Sequence, residues 1–412
     1  MGIMKVILYI VLICIFCEYS ASRIINIQNL DKVDLKKVIE NSNPYDSIVI
    51  NTGKFRGESI TIDKALSIIG TNYPIIEGLG KDHIFKFKSD SIFFEGIKVI
   101  NSGYSYVQDR AAIRLDSSDN CTIKDCKFDN CMFAIYASGI KNLKIQGNEL
   151  QGSKKGESAS GNGVHLWYSK NVFVSNNTIT GHRDGIYLEF TQNVIVNNNY
   201  CYKNMRYGLH FMFSHNAEYR SNVFRRNGSG VAVMYTYNVL MENNIFDNNK
   251  GSSAYGLLLK DIKNSKIVNN KFTNNSTGIY IEGGGKNLIK KNLIKNNAWA
   301  LRLLASSSDN NIESNNIIGN SFDVTSNSSI SSNKFSGNYW DKYNGYDYNK
   351  DGIGDVPYYP VRLFAYLVEK NPPLIILLHS FFVFVLDLAE NVIPTIVPDS
   401  IIDNSPMMIQ LK

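Results

Sequence analysis

The chain has 412 residues, 44% hydrophobic and 19% charged, with 43 basic and 37 acidic side chains and a formal charge of +6. That apolar fraction suffices for a full core and excludes a disordered chain. Nine prolines and 30 glycines exclude collagen-like and proline-rich architectures. The basic residues are scattered, so the charge reads as a solvated surface and no nucleic-acid partner is expected.

Residues 1–22 read as a secretory signal peptide. Met1 to Lys5 is a short positive segment, Val6 to Cys17 is apolar, and Ser20-Ala21-Ser22 is a small-residue cleavage signal. Cys14 and Cys17 each follow a large residue, which disfavours lipoprotein acylation; an uncleaved anchor is the alternative. Residues 23–110 are predicted to be an N-terminal cap and the first irregular coils.

From residue 111 to 336 an internal repeat sets the fold. A small–aliphatic–x–aliphatic motif recurs at Ala112, Ala134, Gly163, Gly185, Gly208, Gly230, Gly256, Gly278 and Ala300, in steps of 22, 29, 22, 23, 22, 26, 22 and 22. Period-2 apolar alternation inside a period near 22 is a stacked strand repeat. Asn recurs eight residues after the small residue, from Asn120 to Asn264. It recurs again fourteen after it, from Asn148 to Asn292, with Cys126 at the head of that column. A core residue follows two further on, from Phe128 to Ile294. The reading is all-β: a right-handed parallel β-helix of about 22-residue coils, stacked about 4.8 Å apart, with a C-terminal helical tail. Asn tolerates the left-handed backbone that corners need, and stacked amides can hydrogen-bond along the axis. Cys121, Cys126 and Cys201 fall in inward or ladder columns, so thiols packed in the core are favoured over disulfides or a thiolate metal site. The longer steps place insertions at one corner, at Ser153–Ser160 and near Lys250–Ser253.

In each motif the third and fifth positions face outward. The third-position column runs His165, Tyr187, His210, Ala232, Leu258, Tyr280, Arg302; the fifth runs Trp167, Glu189, Met212, Met234, Lys260, Glu282, Leu304. An outer wall is normally polar, and an apolar patch on one tends to be a binding surface. His210 and Met212 lie two apart on one strand and point the same way, with Met234 one coil on beside Met212. Imidazole with thioethers is a soft donor set suited to Cu(I). His182 and Met205, each three residues before its glycine in adjacent coils, form a second soft candidate pair at a corner. Ordinary packing under a loop or partner is the alternative for all five. Polysaccharide-cleaving β-helices need paired carboxylates about 5–10 Å apart. Glu189 and Glu282 are four coils, or about 19 Å, apart, and Asp184 stands alone on the corner.

Residues 337–360 form a Gly- and Asp-rich capping loop. Within it Asp347, Asn349, Asp351 and Asp355 resemble the front of a calcium loop, with Gly352 at the turn. Tyr358 takes the place of the terminal Glu, and a plain Asp-Gly turn is the alternative. Residues 361–412 are predicted to be a helical docking segment, with helices over Val361–Lys370 and Leu374–Asn391 separated by Pro372-Pro373. The 15 largely apolar residues from Leu374 are short for a spanning helix.

Three runs carry a family resemblance: Arg206-Tyr207-Gly208-Leu209-His210-Phe211-Met212-Phe213-Ser214, Gly230-Val231-Ala232-Val233-Met234-Tyr235, and Gly337-Asn338-Tyr339-Trp340-Asp341 leading to Asp351-Gly352-Ile353-Gly354-Asp355. With the apolar tail, they resemble the NosD family of nitrous oxide reductase maturation proteins over essentially the whole mature chain. The resemblance implies a periplasmic, non-enzymatic component of an ABC system. It implies a membrane permease and a cytoplasmic ATPase as partners, together with a copper-chaperone lipoprotein and the reductase. It also implies copper as the metal, with the tail docked on the permease; the ligands His210, Met212 and Met234 are read from the residues, not from the family. A secreted polysaccharide lyase, hydrolase or epimerase is the alternative reading.

Overall fold

A computed structural model describes residues 22–153, 156–304, 306–327, 331–392 and 401–411. The predicted signal peptide falls, but for Ser22, outside the described residues.

The chain winds into a parallel β-helix. Each coil contributes one short strand to each of three parallel sheets, of 14, 13 and 12 strands. Inward residues from all three sheets fill one continuous core that runs from Ile27 to Ile401. The small-residue column has a steric cause: a Cβ at Gly208 would lie 2.8 Å from the Gly230 carbonyl oxygen and 2.9 Å from Asn227 Nδ2.

The asparagine columns divide into two uses. Asn120, Asn142, Asn171, Asn193, Asn216, Asn238 and Asn264 adopt the left-handed conformation, with φ between 53° and 58°. The second column is a buried ladder. The backbone N–H of Cys126 donates to Asn148 Oδ1, and each Asn N–H then donates to the next through Asn177, Asn199, Asn222, Asn244, Asn270, Asn292, Asn315 and Asn338, at 2.9–3.0 Å. A parallel ladder at another corner runs from Asn204 through Asn227, Asn249, Asn275 and Asn297 to Asn320. Turns that a buried corner would leave unpaired are thereby satisfied by side chains. Cys121, Cys126, Cys131 and Cys201 are free and buried. Burial raises their thiols, to about 11 for Cys121 and about 12 for Cys126 and Cys131.

Both ends of the core are covered. Helix α1 (Leu35–Glu40) buries Leu35 and Ile39 beside the first strand of the 12-stranded sheet, and Asp34 caps it by accepting from the N–H of Lys36 and Lys37. At the other end lie α2 (Leu363–Lys370), a 3₁₀ turn over Pro372–Leu377 and α3 (Phe381–Val392). The single helix expected from Leu374 is thus broken. Pro372-Pro373 opens a tighter turn, and Ser380 starts a new helix with its Oγ accepting from Val383 N–H at 3.4 Å. The tail is also not helical throughout. Residues 401–411 return to the β-helix, where Asp403 and Met407 bridge in parallel to Phe335 and Tyr339 and antiparallel to Tyr358 and Ile353.

Candidate functional site

The outer face of the 12-stranded sheet holds the soft donors. Along the strands Asp184–Glu189, Tyr207–Met212 and Ser229–Met234, the side chains of Ile186, Leu188, Leu209, Phe211, Val231 and Val233 point inward and are fully buried. The alternate positions therefore face out. In register, Tyr187 pairs with His210 and Glu189 with Met212. His210 pairs with Ala232 and Met212 with Met234 in the next coil. Met212 and Met234 are half-buried on this wall.

His210 is more deeply set than an outer position implies, at 4% exposed. Tyr187 and Tyr207 lie against it, each with a ring centroid 4.9 Å away. Its Nδ1 is 3.5 Å from Asp184 Oδ2 and 3.3 Å from Arg206 Nη2. Its Nε2 is buried and has no hydrogen-bond partner. Tyr187 Oη donates to the Met212 sulfur at 3.4 Å.

Asp184 anchors this group. Its side chain is completely buried, yet it accepts from Arg206 Nε at 2.9 Å and Nη2 at 2.6 Å, and from Tyr207 N–H at 3.2 Å. Burial pushes its carboxyl up; hydrogen bonds from His210 and Arg206 and the guanidinium charge outweigh that and hold it below the usual carboxylate range. Sequence reasoning left Asp184 alone. The signal that pairs it with Arg206 is their separation of 22 residues, within one residue of the 23-residue coil at this step.

One coil earlier on the same wall, His165 stacks on Tyr136 with centroids 4.3 Å apart, and its Nδ1 lies 3.0 Å from Asn162 Nδ2. Burial, with Arg183 and Arg114 nearby, lowers its pKa to about 3.

At the corner, Met205 N–H donates to the His182 carbonyl at 2.8 Å, but the ladder position on His182 belongs to Asn204. His182 is fully buried, and its backbone N–H donates to Asn204 Oδ1 at 3.2 Å, so Asn204 is the residue stacked on it. The 23-residue step between Gly185 and Gly208 adds one residue between Asn204 and Gly208, where Asp184 comes to lie opposite Tyr207. Counting back from glycine therefore misaligned the two. His182 occupies the head of the second asparagine ladder. Both its ring nitrogens lack partners, and burial lowers its pKa to about 4.

In the capping loop, the candidate calcium oxygens turn to the loop's own backbone. Asp347 accepts from the N–H of Asp351 and Gly352, Asn349 from Asp351, Asp351 from Ile353, and Asp355 from Tyr348, at 2.6–3.2 Å. Among the described residues no group of three or more His, Cys, Asp or Glu side chains is placed to hold a metal ion. The loop is closed by these hydrogen bonds. A thioether site lies outside that description, because methionine is not among those residue types.

A run of aromatics flanks the methionines. Tyr168, Phe190, Phe213 and Tyr235 stack in successive coils, with centroids 4.8–5.1 Å apart and planes within 14°. All four are exposed and sit at φ of 47–54°. The same corner holds Ser117, Gly139, Asp261 and Gly283 in the outer coils, types better suited to that conformation.

Three-sided coils with a ladder of buried asparagines define a parallel β-helix protein, and similarity to solved structures agrees at the level of fold. The Dettilon tailspike protein superposes with a TM-score of 0.60 at 14% identity, covering 76% of this chain and 70% of its own. The family is set by sequence. The family model described as "Periplasmic copper-binding protein (NosD)" matches residues 155–345. The probable ABC transporter binding protein NosD of Stutzerimonas stutzeri is 30% identical over 376 residues, covering 86% of this chain and 85% of the relative. Its counterpart in Pseudomonas aeruginosa is 32% identical, covering 86% of each. The chain belongs to the NosD family.

Proposed function

We propose that the protein is a periplasmic, non-enzymatic subunit of an ABC system that holds or passes Cu(I) during maturation of the copper centre of nitrous oxide reductase. One observation carries this reading. His210 Nε2 is a buried nitrogen without a partner, on the strand that also presents Met212, whose neighbour in the next coil is Met234. An orphaned imidazole nitrogen beside two thioethers fits a soft monovalent cation, which gains three neutral donors and needs no carboxylate in contact. Copper is cargo here, taken from a copper-chaperone lipoprotein and delivered toward the reductase. The family's description as copper-binding and the naming of its relatives as ABC transporter binding proteins support the reading.

The tail would dock on the permease. Phe381, Phe382, Phe384 and Leu388 of α3 are half or more exposed, and among the described residues no helix is long and apolar enough to cross a membrane. ATP hydrolysis belongs to the partner ATPase. A polysaccharide-active reading is weaker, because the buried carboxylate Asp184 is engaged by Arg206 and Glu282 is paired with Lys260 at 2.9 Å. Among the described residues that leaves no free carboxylate pair on this wall.

The test is Cu(I) titration of Met212→Ala/Met234→Ala against a competing chelator. Retention at least tenfold weaker, with an unchanged fold, is expected. Equal titrations for variant and wild type would remove the site.

A further inference from the structure

We propose that Asp184 is a positioning residue for His210: it holds the imidazole proton on Nδ1 and so keeps the Nε2 lone pair free as a donor. The inference rests on the reading of His210 as a copper donor, and it assigns a task to a buried charge which that reading does not use.

A neutral histidine carries one ring proton, and its placement is set by what the nitrogens face. Nε2 faces nothing that accepts. A proton there would be a buried N–H donor without an acceptor, which costs its full desolvation. Nδ1 faces the Asp184 carboxylate at 3.5 Å. A proton on Nδ1 therefore has an anionic acceptor, and the nitrogen left over is an acceptor, the kind of orphan that buried sites tolerate better. Arg206 Nη2, 3.3 Å from the same Nδ1, pulls the other way by offering a donor. That contact is the longer of the two that Nη2 makes. Arg206 already directs Nε and Nη2 at Asp184, and its Nη2–Oδ2 distance of 2.6 Å is far shorter than its approach to the ring. The guanidinium thus acts first on the carboxylate, keeping Asp184 ionised and fixed by two parallel hydrogen bonds. Tyr207 N–H holds the same carboxylate from the backbone at 3.2 Å. Histidine ligands to metals recur in this arrangement, the distal nitrogen donating to a carboxylate that fixes tautomer and ring orientation. Ala232, in register beside His210, has no side chain beyond Cβ with which to occupy Nε2.

The tautomer can be read without copper. The full chain, labelled with ¹⁵N-histidine, gives imidazole nitrogen shifts by NMR, with the His210 signals assigned by their absence in His210→Gln. The wild type is expected to show a protonated Nδ1 and a bare Nε2. In Asp184→Asn the proton should move to Nε2, with Arg206 then donating to Nδ1, and Asp184→Glu should restore the original pattern at least in part. A wild-type His210 protonated on Nε2 would overturn the proposal even if Asp184→Asn failed to fold, and so would an unchanged pattern in a folded Asp184→Asn. Cu(I) titrations of the same proteins separate this claim from the reading beneath it. At least tenfold weaker retention in both Asp184→Asn and His210→Gln supports both. Wild-type retention in His210→Gln, with the tautomer as expected, overturns the donor reading and leaves the tautomer assignment standing.

Discussion

Asp403 Oδ2 accepts both the backbone N–H of Asn338 at 3.1 Å and its side-chain amide at 3.0 Å. A carboxylate from the returning tail thus takes the place an eleventh ladder residue would hold. It also accepts from Trp340 Nε1 at 3.0 Å, and it is fully buried. Asp403→Ala strands four donors, these three and Ser405 N–H, which lies 3.1 Å from Oδ1, and hydrogen bonds to a charged group are worth about 1.5–3 kcal/mol each before relaxation. A loss of about 3 kcal/mol is expected, confined to the C-terminal coils because coils contact mainly their neighbours. Hydrogen exchange checks it: amides of the last coil and of residues 401–411 should exchange faster, while those near Phe94 keep their protection. Asp403→Asn retains an acceptor oxygen and should lose less than half as much.

His182 predicts a pH dependence. Its folded pKa of about 4 lies below the unfolded value near 6.5, because complete burial disfavours the charged ring by more than the nearby Met132 and Gly161 backbone favours it. The unfolded chain therefore takes up the proton first as pH falls. The stability held by this group is complete above pH 6.5 and is lost progressively as pH drops toward 4, at about 1.4 kcal/mol per pH unit for one proton. At pH 5 the loss reaches about 2 kcal/mol. His165, with a folded pKa of about 3, adds a loss of the same sign. His182→Asn removes the titrating group and extends the ladder onto Asn204. Urea midpoints at pH 7 and pH 5 should converge in the variant relative to wild type, and an equal shift in both would place the acid sensitivity elsewhere.

The stacked aromatics sit where the backbone disfavours them. Phe213 has φ of 48° and stacks between Phe190 and Tyr235 at 5.1 Å on each side. The left-handed conformation costs an L-residue about 1–2 kcal/mol, and the two aromatic pairs together return about 1–3 kcal/mol. The two effects nearly cancel. Phe213→Asn, which suits the corner, should change the unfolding free energy by less than about 1 kcal/mol. A loss above about 3 kcal/mol would mean that the ring stack holds these coils together.

Much of this was legible in the chain because a solenoid repeats its physics. Every coil reports the same inward positions, so Phe211, Met241 and Phe246 could be placed in the core from phase alone. What phase cannot supply is a contact between columns that differ from coil to coil. Asp184 meets Arg206 and His210 only here, and no other coil carries the same three residues. Single-residue insertions were also invisible when counting from glycine, which is why Met205 took the place that belongs to Asn204. The return of Asp403 to Asn338 spans 65 residues and lies outside the repeat altogether.

That return also changes how the docking tail must be tested. Removing residues 361–412 would take away Asp403 with the helices, and a lost interaction could then reflect an uncapped core. Surface substitutions separate the two effects. Phe381, Phe384 and Leu388 are 78%, 63% and 55% exposed, so replacing all three by Ser removes little packing. Substitutions at such positions usually change stability by about 0.5 kcal/mol or less each. Helix α3 stays attached through Leu363 N–H, which donates to Glu390 Oε1 at 2.6 Å, and through Arg362 to Asp387 at 3.3 Å. Arg302 binds Glu369 of α2 at 2.8 Å and holds the helical tail to the β-helix wall. The triple Ser variant should therefore keep the wild-type circular dichroism spectrum and melting temperature to within a few degrees, yet fail to co-purify with permease-containing membranes. A complex of undiminished yield would move the docking surface away from α3, and the exposed Trp167–Tyr235 side of the wall would be the next to test.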